Sequence, residues 1–426
     1  MRETKRWSRL DNAAKIFPPN SSRRDTKVFR FFCELREPVE PAALQRALEK
    51  TVESFPIYRS TLKKGMFWYY FEDTDTLPPV AEETTAPCAP LYDGDRPGPL
   101  FRVLYYGCRI NLELHHTVAD GAGALQFLRS LVLAYLAARR GLTLPPERGE
   151  APLEERRQDA FFKYYDRNRF IPKGVHYRAY RLQGERLPGH LFGVTEGFLS
   201  VSAVLEAAHA YGATLSEFLV AQLICAVREG MAVRDRPRPV VVSVPVDLRR
   251  FFPVQTARNF FSVIHVAHHA TRERESFEQI LATVRAEFAR QLTQENMEGL
   301  VGRYAAIENR LLVRAIPLQI KIPALRLAGW WKQGGDTVAF SNLGRVTLPP
   351  EAAAHVRLIG AFLSTKRPQI CLCTFGDTLV ISLSSPLAEE GLQRRFFRGL
   401  TARGIPVQIV SNLEELAGEE EPHATL

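Results

Sequence analysis

Long apolar runs are missing from this 426-residue chain. A membrane-crossing helix needs about 18 or more consecutive apolar residues, and no such run occurs. The opening stretch MRETKRWSRLDNAAK has no apolar centre and does not read as a secretory leader. A cytoplasmic protein is the expectation. Cysteine is sparse, with six residues at Cys33, Cys88, Cys108, Cys225, Cys371 and Cys373. Thiols scattered through a long chain exclude a disulfide scaffold. Cys371 and Cys373 stand two apart in QICLCTF, so a strand turns both to one face. Finger, RNP-like and GXXG signatures are absent, which removes nucleic acid from the expected partners. No internal repeat at a period of about 20–50 residues is visible.

What remains is an ordinary globular composition, 46% apolar and 24% charged. That supports two lobes of about 200 residues, each with its own core. Lys plus Arg number 56 against 47 Asp plus Glu, a formal balance of +9. The balance favours anionic partners such as a phosphate-bearing co-substrate, an acidic carrier protein or a membrane surface. A basic surface kept for solubility is the plainer reading.

The element order mixes strands and helices in both halves, as expected of an α/β protein with mixed sheets. VFRFFCELR at 28–36 reads as a strand. Pro41 opens a helix striped by Leu44, Leu48, Val52 and Phe55, and Pro56 stops it. Hairpins are expected at 57–63 with 66–72 and at 100–106 with 110–116. The segment 141–160 is rich in Pro, Gly and charge and reads as a linker. A second polar, Gly-containing stretch at 171–197 holds the expected lobe boundary. Thr214 with Glu217, and Ser276 with Gln279, match capping boxes ahead of helices. Further strands are expected at 239–246, 260–267, 336–341, 370–375 and 378–384, and a helix at 388–402. The spacing divides the chain into a first lobe over 1–185, a second over 186–413 and an acidic tail over 414–426.

The chemistry concentrates in LELHHTVADGAGA, residues 112–124. Ile110, Leu112, Leu114 and His116 share one face of a strand, and Asn111, Glu113 and His115 share the other. His116 then ends an apolar, core-facing row. A histidine held there and kept neutral by burial is suited to accept a proton. A core histidine satisfied by one carbonyl is the bland alternative. Asp120 fits the N-cap of a following helix, or a buried pair with an arginine. Gly121 and Gly123 permit close packing. Adjacent strand histidines point apart, so a metal site is not expected.

HHTVADG at 115–121 matches the pattern HHxxxDG. It resembles the active-site motif of the CoA-dependent acyltransferase superfamily, which includes chloramphenicol acetyltransferase-like enzymes, alcohol acetyltransferases and nonribosomal-peptide condensation domains. RLDNAAKIFPP, SFPIYRSTL, VSVPVDLRRFF, ARNFFSVI and AFSNLGRV, met in that order, resemble the superfamily as well. The DFGWG motif of its plant branch is absent.

The resemblance implies two chloramphenicol-acetyltransferase-like lobes forming a pseudo-dimer around a tunnel. It implies an acyltransferase with His116 as general base and direct transfer in a ternary complex. Asp120 and Gly121 would be structural, with Arg249 as the partner of Asp120 and Arg250 as next choice. Ser341, Asn342, Asn259 and His115 would supply an oxyanion donor or line the tunnel, with no metal. No cofactor would be permanently bound. The donor would be acyl-CoA or a phosphopantetheinyl thioester, and an acyl carrier protein is a possible partner. The acceptor would be an alcohol or amine. An amide-forming condensation enzyme and a catalytically silent binding module are the alternatives.

One stretch stands outside the motif. RLLVRAIPLQIKIPALRLAGWWK at 310–332 combines large apolar groups with Arg310, Arg314, Lys321, Arg326 and Lys332, ending near Trp330 and Trp331. Contact with a membrane, or a hydrophobic substrate, is one reading, and lobe-packing helices with a basic edge are the other. Pro317 and Pro323 argue against one long helix.

Overall fold

The strand expected at 28–36 forms over Val28–Leu35, and all of its side chains except Glu34 are buried. It is one of three central strands in a five-stranded sheet. The order is Val356–Leu363, Val28–Leu35, Arg109–His115, Phe101–Tyr106 and Ala81–Glu82. All neighbours are antiparallel except the last pair. The computed structural model describes residues 7–94, 98–142, 159–165, 177–269, 275–309, 316–332 and 335–413. Most of the expected linker, and the tail from 414, lie outside these residues.

Helices Pro41–Ser54 and Gly121–Arg140 pack against each other beside the five-stranded sheet. Leu44, Leu48 and Val52 are buried along the first, as the stripe requires. The second is long and apolar enough to cross a membrane, although no unbroken apolar run marks it in the sequence. It buries Phe127, Leu128, Leu131, Val132 and Tyr135 in the core under the sheet.

A seven-stranded sheet forms the second core. Its order is Phe261–His268, Val240–Asp247, Val338–Val346, Gln369–Phe375, Thr378–Ser385, Gly193–Ser200 and Gln408–Ser411. Val338–Val346 runs parallel to both of its neighbours, so this sheet is mixed. Helices Leu215–Glu229, Phe277–Gln291 and Gly391–Thr401 supply the facing apolar layer. Both capping boxes are present at Thr214 and Ser276. A third, three-stranded sheet joins Trp7–Arg9, Tyr69–Asp73 and Ser60–Lys64. The hairpin expected at 57–72 is therefore shorter, because Pro56–Arg59 coils into a 3-10 turn.

Five strands escaped the sequence reading, Trp7–Arg9, Ala81–Glu82, Gly193–Ser200, Val356–Leu363 and Gln408–Ser411, and two of them matter for the packing. Gly193–Ser200 lies partly in the stretch read as polar loop. A Cβ on Gly197 would stand 2.4 Å from the Phe397 ring, and one on Gly193 2.6 Å from Leu413. These glycines let a helix and a chain end lie directly on the strand, so they mark close packing here and not a turn. Val356–Leu363 comes from the second half of the sequence yet pairs with Val28–Leu35 of the first sheet.

Candidate active site

The motif lies where the two sheets meet. The first strand of the motif ends at His115, and His116 follows it with its N–H donated to the Lys27 carbonyl at 2.8 Å. Lys27 holds a positive φ of 56°, unusual for a residue with a side chain, and so aims that carbonyl at the motif.

The two histidines then diverge. His115 is fully buried. Its Nε2 lies 2.9 Å from Ser21 Oγ and its Nδ1 2.7 Å from Thr117 Oγ1. Burial, helped by the neighbouring His116 and Lys27 charges, pushes its pKa down to about 3. Both ring nitrogens are occupied by the protein, which corrects the expectation that His115 lines a tunnel.

His116 is only half-buried. Its ring stacks on Phe17 at 4.2 Å and has Phe29 at 5.0 Å and Phe261 at 5.6 Å. Burial lowers its pKa below the ordinary histidine value, against the opposing pull of its own main chain, Asp120 and Asn259. The ring is therefore neutral at neutral pH. Its Nδ1 lies 3.2 Å from Asn259 Oδ1.

Asn259 is itself buried, and its Nδ2 donates to Asp11 Oδ2 at 3.3 Å. A carboxylate only accepts, so Asp11 orients the amide with its oxygen toward the ring. Asn259 Oδ1 then requires the proton on Nδ1, which leaves Nε2 as the basic nitrogen. Asp11 is anchored by the Ala14 N–H at 2.7 Å and by the Arg258 guanidinium at 3.4 Å. Burial raises the pKa of Asp11, and Arg258 acts against that rise.

Asp120 builds the turn. Its Oδ1 accepts the Gly123 N–H at 2.9 Å and caps helix Gly121–Arg140. The same carboxylate receives Arg249 through both terminal nitrogens, Nη1 at 3.0 Å and Nη2 at 3.2 Å. It also accepts the Phe260 N–H at 2.7 Å. Arg249 is further held by Asp247 Oδ1 and by the carbonyls of Thr256 and Arg258. A two-point contact of this kind fixes geometry as well as charge. Arg249 sits in the 3-10 turn Leu248–Arg250, and Arg250 is exposed.

The glycines differ in strictness. A Cβ on Gly121 would meet Leu343 Cδ2 at 2.8 Å, the movable end of a side chain. One on Gly123 would stand 2.0 Å from the Ala257 carbonyl oxygen, which is backbone and cannot step aside. Gly123 is therefore the tighter position.

The Gly121 contact also brings the 341–344 segment against the motif. Asn342 is exposed, donates to Ser216 Oγ at 2.9 Å and accepts the Gly344 N–H at 2.9 Å. Its polar groups serve the local turn. Ser341 is partly buried in the strand beside Cys371. Asp11 and Phe17 were not singled out from the sequence. RLDNAAKIFPP was noted only as a string, although an aspartate three residues ahead of a short helical turn is a capping signal. Among the described residues, no group of three or more His, Cys, Asp or Glu is placed to hold a metal.

A scan against protein-family models matches none, and no curated protein matches. Solved structures do. Polyketide synthase associated protein 5 from Mycobacterium tuberculosis is 18% identical, with a TM-score of 0.58 over 93% of this chain and 97% of that one. F. graminearum TRI101, solved with coenzyme A and T-2 mycotoxin, is 14% identical at TM-score 0.61, covering 92% and 97%. The first condensation domain of the CDA synthetase is 17% identical at TM-score 0.55, covering 93% and 95%. The chain has the two-lobed α/β fold of the chloramphenicol acetyltransferase-like and condensation-domain proteins.

Proposed function

We propose that the protein transfers an acyl group from a CoA or carrier-bound thioester to an alcohol or amine, with His116 as the base. One observation carries this reading. The His116 ring is neutral, half-buried among phenylalanines, and tied at Nδ1 to Asn259, so Nε2 is the basic nitrogen. The fold supports the reading, because solved structures of the same fold hold coenzyme A.

The chemistry follows from that nitrogen. Nε2 takes the proton of the acceptor hydroxyl or amine as its oxygen or nitrogen bonds to the thioester carbonyl carbon. The tetrahedral intermediate then collapses by breaking the C–S bond. The imidazolium returns the same proton to the departing thiolate, so the base is regenerated without an acyl-enzyme. The Asp11–Asn259 pair keeps the correct tautomer through both transfers. Asp120 and Arg249 act from behind, by holding the turn that carries the ring. Ser341 and the main chain around it stay the candidates for the oxyanion donor. Division into lobes at 185/186 and a cytoplasmic site of action belong to the same proposal.

The test is thiol release from acyl-CoA, and from a loaded carrier protein, with a panel of alcohols and amines. Turnover in the wild type that disappears in a folded His116→Ala protein supports the reading. Turnover with loaded carrier and an amine alone selects the amide-forming condensation reading. Absence of turnover with every donor, with His116→Ala indistinguishable from wild type in ligand binding, overturns it in favour of a silent binding module.

A further inference from the structure

Helix Leu318–Lys332 carries large apolar residues on its outward side as well as on its inward one. Among the described side chains Leu318 and Lys321 are buried and Ile322 and Leu325 half-buried, and Lys321 Nζ donates to the Phe67 carbonyl at 3.0 Å while lying 3.6 Å above the Trp68 ring. The outward side mixes Gln319, Pro323 and Arg326 with an apolar row: Ile320 is 63% exposed and Leu327 57%, with Ala324 exposed between them. These positions follow at four and three residues, one face of a helix. A surface helix in water keeps such large apolar groups on its inward side.

The patch extends past the helix. The Leu318 N–H bonds the Met66 carbonyl at 2.8 Å, which seats the tip of the Ser60–Asp73 hairpin against the helix start. Met66 there is 68% exposed and Phe67 40%. Ile16, also exposed, follows Lys15, whose ammonium approaches the same Trp68 ring at 5.1 Å. The hairpin tip and the helix it touches thus both expose large apolar groups. Single exposed apolar residues are normal, but a contiguous group marks a contact surface.

Charge identifies what covers it. Besides the buried Lys321, the contributing stretches 15–20, 63–70 and 316–327 carry Lys15, Lys63, Lys64 and Arg326 and no acidic residue, with Lys63 paired to Glu72 at 3.5 Å. A second copy of the chain would bring like charges together across a two-fold contact. A flat anionic surface with an apolar interior matches both features, with apolar groups entering the acyl boundary and cations at the headgroup level. Trp68 is a residue type that favours such a boundary.

We infer that this face docks the protein on a bilayer containing anionic lipid. The surface borders the candidate site: Arg326 Nε bonds the Pro19 carbonyl at 3.0 Å, in the same short helix whose Phe17 stacks on His116. Docking does not depend on the acyl-transfer reading. That the acceptor enters from the bilayer is a consequence that does rest on it.

The test is flotation of the full chain with vesicles of phosphatidylcholine alone and of phosphatidylcholine with 30–40% phosphatidylglycerol, a composition of about that range sufficing to set a negative surface potential. The wild type is expected to float with the anionic vesicles at low salt and to release at high salt. The double variant Ile320→Glu/Leu327→Glu should bind at least about tenfold more weakly. Both positions are exposed, so circular dichroism and the melting midpoint should match the wild type, and Ile320→Ser/Leu327→Ser is the milder control. Flotation reads binding and not turnover, so it is independent of whether acyl transfer is detected. Failure of the wild type to float, equal flotation by the double variant, concentration-dependent dimerisation lost in that variant, or saturable binding of an acidic carrier protein without vesicle binding would each overturn the inference.

Discussion

His115 and His116 are neighbours in sequence and opposites in surroundings. His115 faces a closed polar pocket made within the first half of the chain, with Ser21 and Thr117 on its two nitrogens. His116 faces aromatic rings and an amide supplied by the second half, at Asn259 and Phe261. The end of one strand thus separates a structural histidine from one suited to proton transfer. What decides the role is which half of the chain completes the surroundings, a property that a pair of identical letters does not carry.

The largest test of that contrast is substitution of each ring in turn. His116→Gln should lower kcat by about 10²–10⁴-fold while leaving the melting midpoint near wild type. His115→Gln should do the reverse, lowering stability with kcat changed only a few-fold. Equal losses of kcat from both, measured by thiol release, would erase the distinction.

Next in size is the brace from the second half. Arg249→Ala leaves the Asp120 carboxylate buried without its cation, and breaking a buried pair costs about 3–5 kcal/mol. Chemical denaturation should show that loss, with kcat falling as the turn moves. A stability change below about 1 kcal/mol, the range of exposed pairs, would show that the ion pair does not hold the turn.

The glycines sharpen the contrast at the helix start. Gly123→Ala drives a methyl into the Ala257 carbonyl and should destabilise by about 1–3 kcal/mol. Gly121→Ala meets only the end of Leu343 and should cost clearly less. The reverse order in unfolding midpoints would mean that the backbone at 257 yields more easily than a leucine tip.

A smaller effect is expected at Asp11. With Asp11→Asn, the Asn259 amide is no longer forced to present its oxygen, and the wrong His116 tautomer becomes accessible. The expected change is a drop in kcat of about tenfold with KM nearly unchanged. A change confined to KM would place Asp11 in substrate binding instead.

The subtlest test is pH. The folded pKa of His115, about 3, lies below the unfolded value of about 6.5. Between those values the unfolded chain binds more protons, so stability is full above about 6.5 and falls as pH drops toward 3. His115→Gln should make that slope shallower. His268, at about 4 through burial and Arg228, titrates in the same direction and remains in the variant. His116 is shifted down as well, so kcat should stay level below the ordinary histidine range before its acid limb begins.

Much of this arrangement was legible beforehand. HHTVADG announced itself by composition, and the period of two separated its histidines. Capping boxes placed two helices correctly because they are local patterns. Arg249 was placed ahead of Arg250 as the partner of Asp120 through the resemblance. The structure joins Arg249 to Asp120, but through a 3-10 turn, where the contact depends on Asp247 and the carbonyls around it. Non-local features were not legible. Asp11 and Asn259 lie far apart in sequence and become partners only when the halves meet. Gly197 read as loop because its reason for being glycine, the Phe397 ring, lies two hundred residues away. Lys321 read as one cation among several, while its burial over Trp68 depends on a hairpin from the first lobe.

Strand Val356–Leu363 carries a consequence for how the protein is made. Its partner, Val28–Leu35, is synthesised long before it, and the edge of that strand stays bare until Val356–Leu363 has left the ribosome. During elongation the early sheet is an unfinished template open to wrong pairing. A fragment ending at 185 should therefore precipitate or recruit chaperones, and supplying 356–363 in trans should rescue it.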